Sequence, residues 1–292
     1  MHVNLSLLSE TILFPSEVIM HMQRKWSSGV LGSLLFTLLL TACSSGGGDS
    51  AGTAQVVPVC TAEGLWTGTM AGRTVNGAVL DDRTYWFLYS AVGAPTIMAG
   101  TLQGDCSTSN GTFTSSNGLD FSNEAPVDKR AITVTGPYVM PLTLDGTVTY
   151  PGGGQLTFTS TFNSENSVTP LITDVADTYS GSVFGFPHTI TVDPSGVITV
   201  TTLGGPHRTG SSINGDVSGI ELGCDFTGTL SPRSQGGNMY DITLTPTTNA
   251  LMCALGPFDG VAFFDATDNK RIYVLALNSD RNRVFPFTGT RP

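Results

Sequence analysis

From residue 64 onward, apolar and polar positions alternate in short runs broken by turn residues, the period of strands rather than of helices. In the first half, the runs fall at 64–70, 74–80, 84–90, 96–103, 110–116, 130–136, 143–150 and 154–162. Between them lie Ala71-Gly72-Arg73, Asp81-Asp82-Arg83, Gly93-Ala94-Pro95, Asn117-Gly118 and Pro151-Gly152-Gly153-Gly154, combinations that favour tight turns. No window beyond Cys43 sustains a 3.6-residue spacing of apolar positions; a single helical turn is expected near Leu171–Ala176. A similar count of strands follows from Tyr179 to Gly289.

The two halves echo each other at a shift of about 114 residues, the kind of self-similarity that sets a whole architecture. Gly64-Leu65-Trp66-Thr67-Gly68 recurs as Asp177-Thr178-Tyr179-Ser180-Gly181. Ile132–Thr135 matches Ile242–Thr245, Leu144–Tyr150 matches Phe258–Phe264, and Gln155–Phe158 matches Arg271–Val274. The expected fold is therefore all-β: two tandem antiparallel meanders of about eight strands, at 60–173 and 174–292. Closure into barrels would remove exposed sheet edges, with a β-sandwich as the other arrangement. Each half is of a size that folds independently, and Ser167-Val168-Thr169-Pro170 is the expected linker.

An opening strand carrying Gly64-Leu65-Trp66 in an eight-strand unit resembles the calycin group, the lipocalins and avidin-like barrels. The resemblance implies that Trp66 plugs one end of a barrel. It also directs attention to Tyr85-Trp86-Phe87-Leu88-Tyr89, whose alternation sends Tyr85, Phe87 and Tyr89 to one face and Trp86 and Leu88 to the other. Interior aromatics in an eight-strand barrel either fill the core or line a ligand cavity. Trp66, Tyr85, Trp86, Phe87 and Tyr89 are the candidate ligand-binding residues.

Upstream, Gln23-Arg24-Lys25 precedes an uncharged stretch from Trp26 to Ala42 whose apolar centre is Val30–Leu40, the layout of a secretory signal peptide over residues 1–42. Glu10 and Glu17 lie before the basic region, where signal peptides are normally free of acid, which makes Met20 and Met22 alternative translation starts. Leu40-Thr41-Ala42-Cys43 resembles the bacterial lipobox, which implies acylation of Cys43 and anchoring in a membrane. Residues 43–59 then read as a lipidated cysteine and a Gly/Ser-rich tether that cannot bury a core. In Gram-negative lipoproteins of this kind, a serine such as Ser44 after the cysteine implies transfer to the outer membrane.

The formal net charge is −10, and removing Arg24, Lys25, Glu10 and Glu17 leaves it unchanged, so the body has no basic footprint for nucleic acid. Cys60, Cys106, Cys224 and Cys253 remain for an oxidising compartment, two in each half, and Cys60–Cys106 with Cys224–Cys253 is the expected pairing. No cysteine or histidine spacing suits zinc, so neither metal nor cofactor is expected. Asp265, Asp268 and Asn269 could offer oxygens to calcium, but not at EF-hand spacing. His188 and His207 stand alone, and no Gly-x-Ser-x-Gly elbow occurs. These features point away from an enzyme. They leave a lipid-anchored binding module for a small apolar ligand or partner protein, or else an envelope-maintenance protein with filled cores.

Overall fold

A computed structural model describes residues 59–124, 128–203, 224–234, 237–247, 256–268 and 270–291, all within one compact unit, Gln55–Pro292. Residues 1–58, including Cys43 and most of the Gly/Ser stretch, lie outside the described residues, as do Cys253, His207 and Asn269.

The first half contains β1 (Gly64–Met70), β2 (Arg73–Val79), β3 (Thr84–Ala91), β4 (Ala94–Asp105), β5 (Ser107–Ser109), β6 (Thr112–Ser122), β7 (Asp128–Val139), β8 (Thr143–Leu144), β9 (Gly146–Thr149) and β10 (Gln155–Phe162). Strands β1, β2, β3, β4, β6, β7, the broken pair β8/β9, and β10 follow one another around an antiparallel ring, and β10 returns to β1. The wall is thus the expected eight strands. Asp145 interrupts the seventh by accepting the Ser160 N–H with its side chain at 3.1 Å. Short β5 adds a hairpin with β6, and the Cys60–Cys106 disulfide, Cα–Cα 5.7 Å, ties the chain entry to its base.

One expected boundary is corrected. Asn117-Gly118 is not a turn: β6 runs through it with a register shift between Ser115 and Gly118. This bulge lengthens the strand to Ser122 and decides which of its later residues face inward.

The second half closes in the same way from β11 (Thr178–Val183), β12 (Phe186–Val192), β13 (Val197–Thr202), β14 (Phe226–Pro232), β15 (Met239–Pro246), β16 (Phe258–Asp265), β17 (Arg271–Asn278) and β18 (Val284–Thr290). Its inner face is apolar, and the outer face of β11 to β15 carries threonine. Thr178, Thr191, Thr199, Thr227 and Thr245 stand in one exposed cross-strand row. A hydroxyl-lined exterior around an apolar interior is the reverse of a membrane-spanning barrel, which turns its apolar face to lipid.

The opening hairpins of the two barrels are equivalent. Tyr179 stands 113 positions after Trp66, and each donates to a carbonyl four residues earlier: Trp66 Nε1 to Ala62 at 3.0 Å, Tyr179 Oη to Val175 at 3.0 Å. Ala71-Gly72 and Phe184-Gly185 both turn with positive φ at two successive residues, as type I′ hairpins require. At the seam where the last strand meets the first, Gly68 and Gly181 leave room for a carbonyl that an added Cβ would strike at 1.9 and 2.0 Å. Beyond this hairpin, the sequence matches are one strand out of step: β7 was matched with β15 and β10 with β17, whereas β10 occupies the ring position of β18. Alternating Thr-rich strands resemble their neighbours as much as their true counterparts, so similarity alone did not fix the pairing.

The barrels are not joined like beads. Leu65, Ala78, Trp86, Leu88 and Phe121 point out of the first barrel, yet all are buried in a cluster continuous with Phe263, Tyr273, Leu275 and Leu277 on the outer wall of the second. Arginines staple the rim. Arg233 bonds Asp81, Asp82 and Asp241, and Arg281 bonds Gln103 Oε1 at 2.6 and 3.1 Å. The expected linker is pinned as well: a 3-10 turn at Ser164–Ser167 buries Glu165, which accepts from Asn238 Nδ2 at 2.8 Å, and Val168 O accepts the Asn238 N–H. The expected helical turn is present at Ile172–Val175 (α1).

Each barrel closes its own hydrogen-bond ring, but an isolated half would expose this apolar face. Leu88→Ala should therefore cost about 2–5 kcal/mol, as in a true core, although Leu88 points away from its own barrel's interior; urea unfolding checks this, and a loss below that of an ordinary surface change would show the interface to be loosely packed. Cys224 is disulfide-bonded, and a nonreducing digest should return a peptide joining it to Cys253.

Candidate functional site

The aromatic residues singled out by the sequence divide between two places. Trp66, Tyr85, Phe87 and Tyr89 face the interior of the first barrel, whereas Trp86 points the opposite way into the contact between barrels. The inward set is packed rather than arrayed around a void. Trp66 meets Phe162 edge-on at 5.2 Å, and Tyr85 meets Phe113 at 5.7 Å. The space among Met70, Val75, Tyr85, Phe87, Leu102, Phe113, Val134 and Phe158 is about 10 Å³, the room of roughly one water molecule. A drug-sized ligand needs a pocket of about 300 Å³ or more.

Both ends of this barrel are closed, by different chemistry. At the end where β1 begins, Trp66 is the plug. At the other, a polar cluster built on Asp120 forms a lid. Asp120 is fully buried; its Oδ1 accepts from Tyr89 Oη at 2.7 Å, and its Oδ2 from Tyr150 Oη at 2.9 Å and Arg130 Nη2 at 3.0 Å. Gly100 makes this possible, since a Cβ there would lie 2.1 Å from the Tyr89 hydroxyl. The Arg130 guanidinium stacks over the Tyr150 ring at 4.4 Å. Beside it, Arg73 forks onto both carboxylate oxygens of Glu124 at 2.9 and 2.6 Å and lies 5.5 Å from the Tyr89 ring centroid.

Burial pushes the Asp120 carboxyl above its ordinary range, an effect partly offset by the three donors that favour its charged form. Burial also raises the Tyr89 and Tyr150 hydroxyls, which keeps them protonated as donors. Each cation is matched by a carboxylate, so the lid is electrically balanced. Its chemistry is that of a seal: no nucleophile stands beside a base. Sequence reasoning missed Asp120, Arg130, Arg73, Glu124 and Tyr150 because the inward direction of Asp120 depends on the β6 bulge.

Elsewhere, Asp265 Oδ1 accepts from the Thr267 N–H and hydroxyl and from the Asp268 N–H, while Asp268 pairs with Arg271 at 2.7 Å. These oxygens serve the hairpin itself, and among the described residues no group of three or more His, Cys, Asp or Glu side chains could hold a metal. His188 lies inside the second barrel, where burial lowers its pKa and its Nδ1 is 2.9 Å from Phe186 O. Among the described residues no helix is long and apolar enough to cross a membrane.

No protein-family model matches the chain, and no curated protein matches it. Among solved structures it is similar to one described as a "putative outer membrane protein" from Bacteroides fragilis NCTC 9343, with 18% identity over 78% of this chain and 96% of that one and a TM-score of 0.24. A score of that size carries no argument about activity or location, so the functional reading rests on the chain's own residues.

The lid has a testable pH signature. Because the folded state holds the Asp120 proton more tightly than the unfolded chain, the stability tied to this group is present in acid and lost as pH rises through its folded pKa. Tyr89→Phe removes a donor to the charged form. It should destabilise the protein by about 1–3 kcal/mol at neutral pH and by less near pH ~4, where the carboxyl is more protonated. Urea unfolding at both pH values checks this; equal losses would mean that the hydroxyl does not serve the carboxylate.

Proposed function

We propose that this chain is a lipid-anchored, non-catalytic protein of the bacterial envelope, most simply of a Gram-negative outer membrane, that binds a partner protein on the outer surface of a rigid pair of barrels. The observation that carries the reading is the filled interior of the first barrel, closed by Trp66 at one end and by the Asp120 lid at the other. It argues against a small apolar ligand held inside that barrel and shifts recognition to the exterior.

The exterior offers a rim at the lid end. The two barrels present like ends together: Asn123 Nδ2 donates to Phe184 O at 3.5 Å, and Ile97 approaches Gly185, so the lid end of the first barrel adjoins the β11–β12 turn of the second. Val92, Ile97 and Phe186 are exposed there. Together they make a small apolar patch of the kind that marks contact surfaces. The reading of envelope maintenance without a partner shares the filled core and differs only in leaving this rim unused.

Three measurements bear on the proposal. Cys43→Ser should abolish uptake of labelled palmitate, and continued labelling would remove the anchor. Native mass spectrometry of protein purified from its own cells should show no retained apolar molecule. A photoreactive residue at Ile97 should give a discrete protein adduct in cells that weakens in Phe186→Asp; absence of any adduct would favour the maintenance reading.

A further inference from the structure

A second set of exposed apolar side chains lies at the plug end, where the chain enters the first barrel. Val59, Val139, Met140 and Leu142 are 59, 53, 37 and 63% exposed. The turn that carries the last three is held in place. The Leu142 N–H donates to Val139 O at 2.6 Å, the Phe162 N–H to Leu142 O at 3.1 Å, and the Tyr138 and Thr61 hydroxyls are 2.5 Å apart. Val59 is fixed next to it by the Thr108 N–H, 2.7 Å from its carbonyl, and by the adjacent Cys60–Cys106 bridge. Val59 and Met140 line the same open groove of about 490 Å³, together with Glu63, Asp81, Asn166 and Met239.

We propose that this rim rests on the bilayer that holds the acyl chains of Cys43, with Met140 and Leu142 dipping into its interface. The proposal relies on lipidation of Cys43, as above. Its geometric support is the length of chain between anchor and barrel. Residues Ser44 to Val59 reach roughly 20 Å as a coil, whereas a twelve-residue strand such as β4 is about 40 Å long. The tether therefore enters at the plug end and at its average reach keeps that end nearest the membrane; bringing the opposite end there would require it to stretch toward its full extension of about 53–58 Å, at a cost in chain entropy. Val59, Val139, Met140 and Leu142, beside that entry, are among the apolar side chains the fold leaves in water.

Charge selects the lipid. Glu63 and Asp81 sit in the same groove, and burial together with Asp81 raises the Glu63 pKa. With a net charge of −10 and Arg233 already paired with Asp81 and Asp82 at this groove, the fitting surface is zwitterionic rather than anionic.

The test uses the full lipidated protein in phosphatidylcholine vesicles containing spin-labelled, fluorescence-quenching lipid. The mature chain's own tryptophans, Trp66 and Trp86, are buried, so Leu142→Trp and Val92→Trp report on the two ends. Emission from Leu142→Trp should be quenched several-fold more than that from Val92→Trp, and the difference should shrink when anionic lipid replaces part of the phosphatidylcholine. Equal quenching, or stronger quenching at Val92→Trp, in protein that floats with the vesicles would overturn the docking while leaving the anchor intact. Protein that neither floats nor takes up palmitate would overturn the anchor and the docking with it. A blue shift in Leu142→Trp that grows with protein concentration without lipid would assign the rim to a second copy instead.

Discussion

Strand β3 buries Tyr85, Phe87 and Tyr89 inside the first barrel and Trp86 and Leu88 outside it, so one barrel alone would leave a tryptophan and a leucine facing water. The hydrophobic effect, at roughly 25 cal/mol per Å² of apolar surface, makes that exposure costly. The second barrel supplies the cover through Phe263, Tyr273, Leu275 and Leu277, with Phe263 and Tyr273 stacked at 4.8 Å. Much else follows from this contact. The connection between barrels must be short and pinned, the β14–β15 hairpin must reach Asp81 through Arg233, and the β17–β18 turn must deliver Arg281 to Gln103.

The same strand closes the barrel from within. Three aromatic rings on one face leave room for little more than one water molecule, and the hydroxyls of the two tyrosines among them set different demands. Burial pushes the Tyr85 hydroxyl up to about 12, and it abuts Gly104 and Gly118. Tyr89, near the other end, meets a buried carboxylate that can tolerate its position only with donors around it. The plug end can be apolar because Trp66 has a single N–H to satisfy. The lid end must be a network because a charge, once buried, needs every partner it has.

Strand count, closure, the inward and outward sides of β3 and the first disulfide were legible because each depends on local alternation or on parity. What could not be read depends on a single bulge or on distant pairing. The register shift between Ser115 and Gly118 turns Asp120 inward toward Tyr89 and Tyr150, residues some thirty positions away on other strands; an Asn-Gly pair in sequence gives the same signal for a turn as for a bulge. The one-strand slip in matching the halves has a related origin. Thr-rich strands with alternating apolar residues are interchangeable in composition, and a glycine pressed against a neighbouring carbonyl recurs at Gly136, Gly228 and Gly260 as well as at Gly68 and Gly181, so it does not mark the first strand either. The contact between barrels was equally hidden, since a half-buried outer face looks like an ordinary apolar strand until the partner wall is known.

Parallel alignment of the barrels gives the pair two chemically distinct ends. At the plug end, Met239 of β15 and Met140 of the first barrel line one groove, and the chain enters beside them. At the lid end, Arg73–Glu124 and Arg130–Asp120 place two compensated ion pairs beside the β3–β4 hairpin. A surface ion pair contributes little to stability, but a rim of fixed, balanced charges limits what can approach, because a partner must replace the water around it with matching polar groups. The plug end has its own ion-pair network, Arg233 with Asp81, Asp82 and Asp241, but its groove is also lined by Val59, Met140 and Met239. The proposed protein contact is accordingly placed at the lid end, and the proposed lipid contact at the plug end. That division follows from where the chain enters the first barrel.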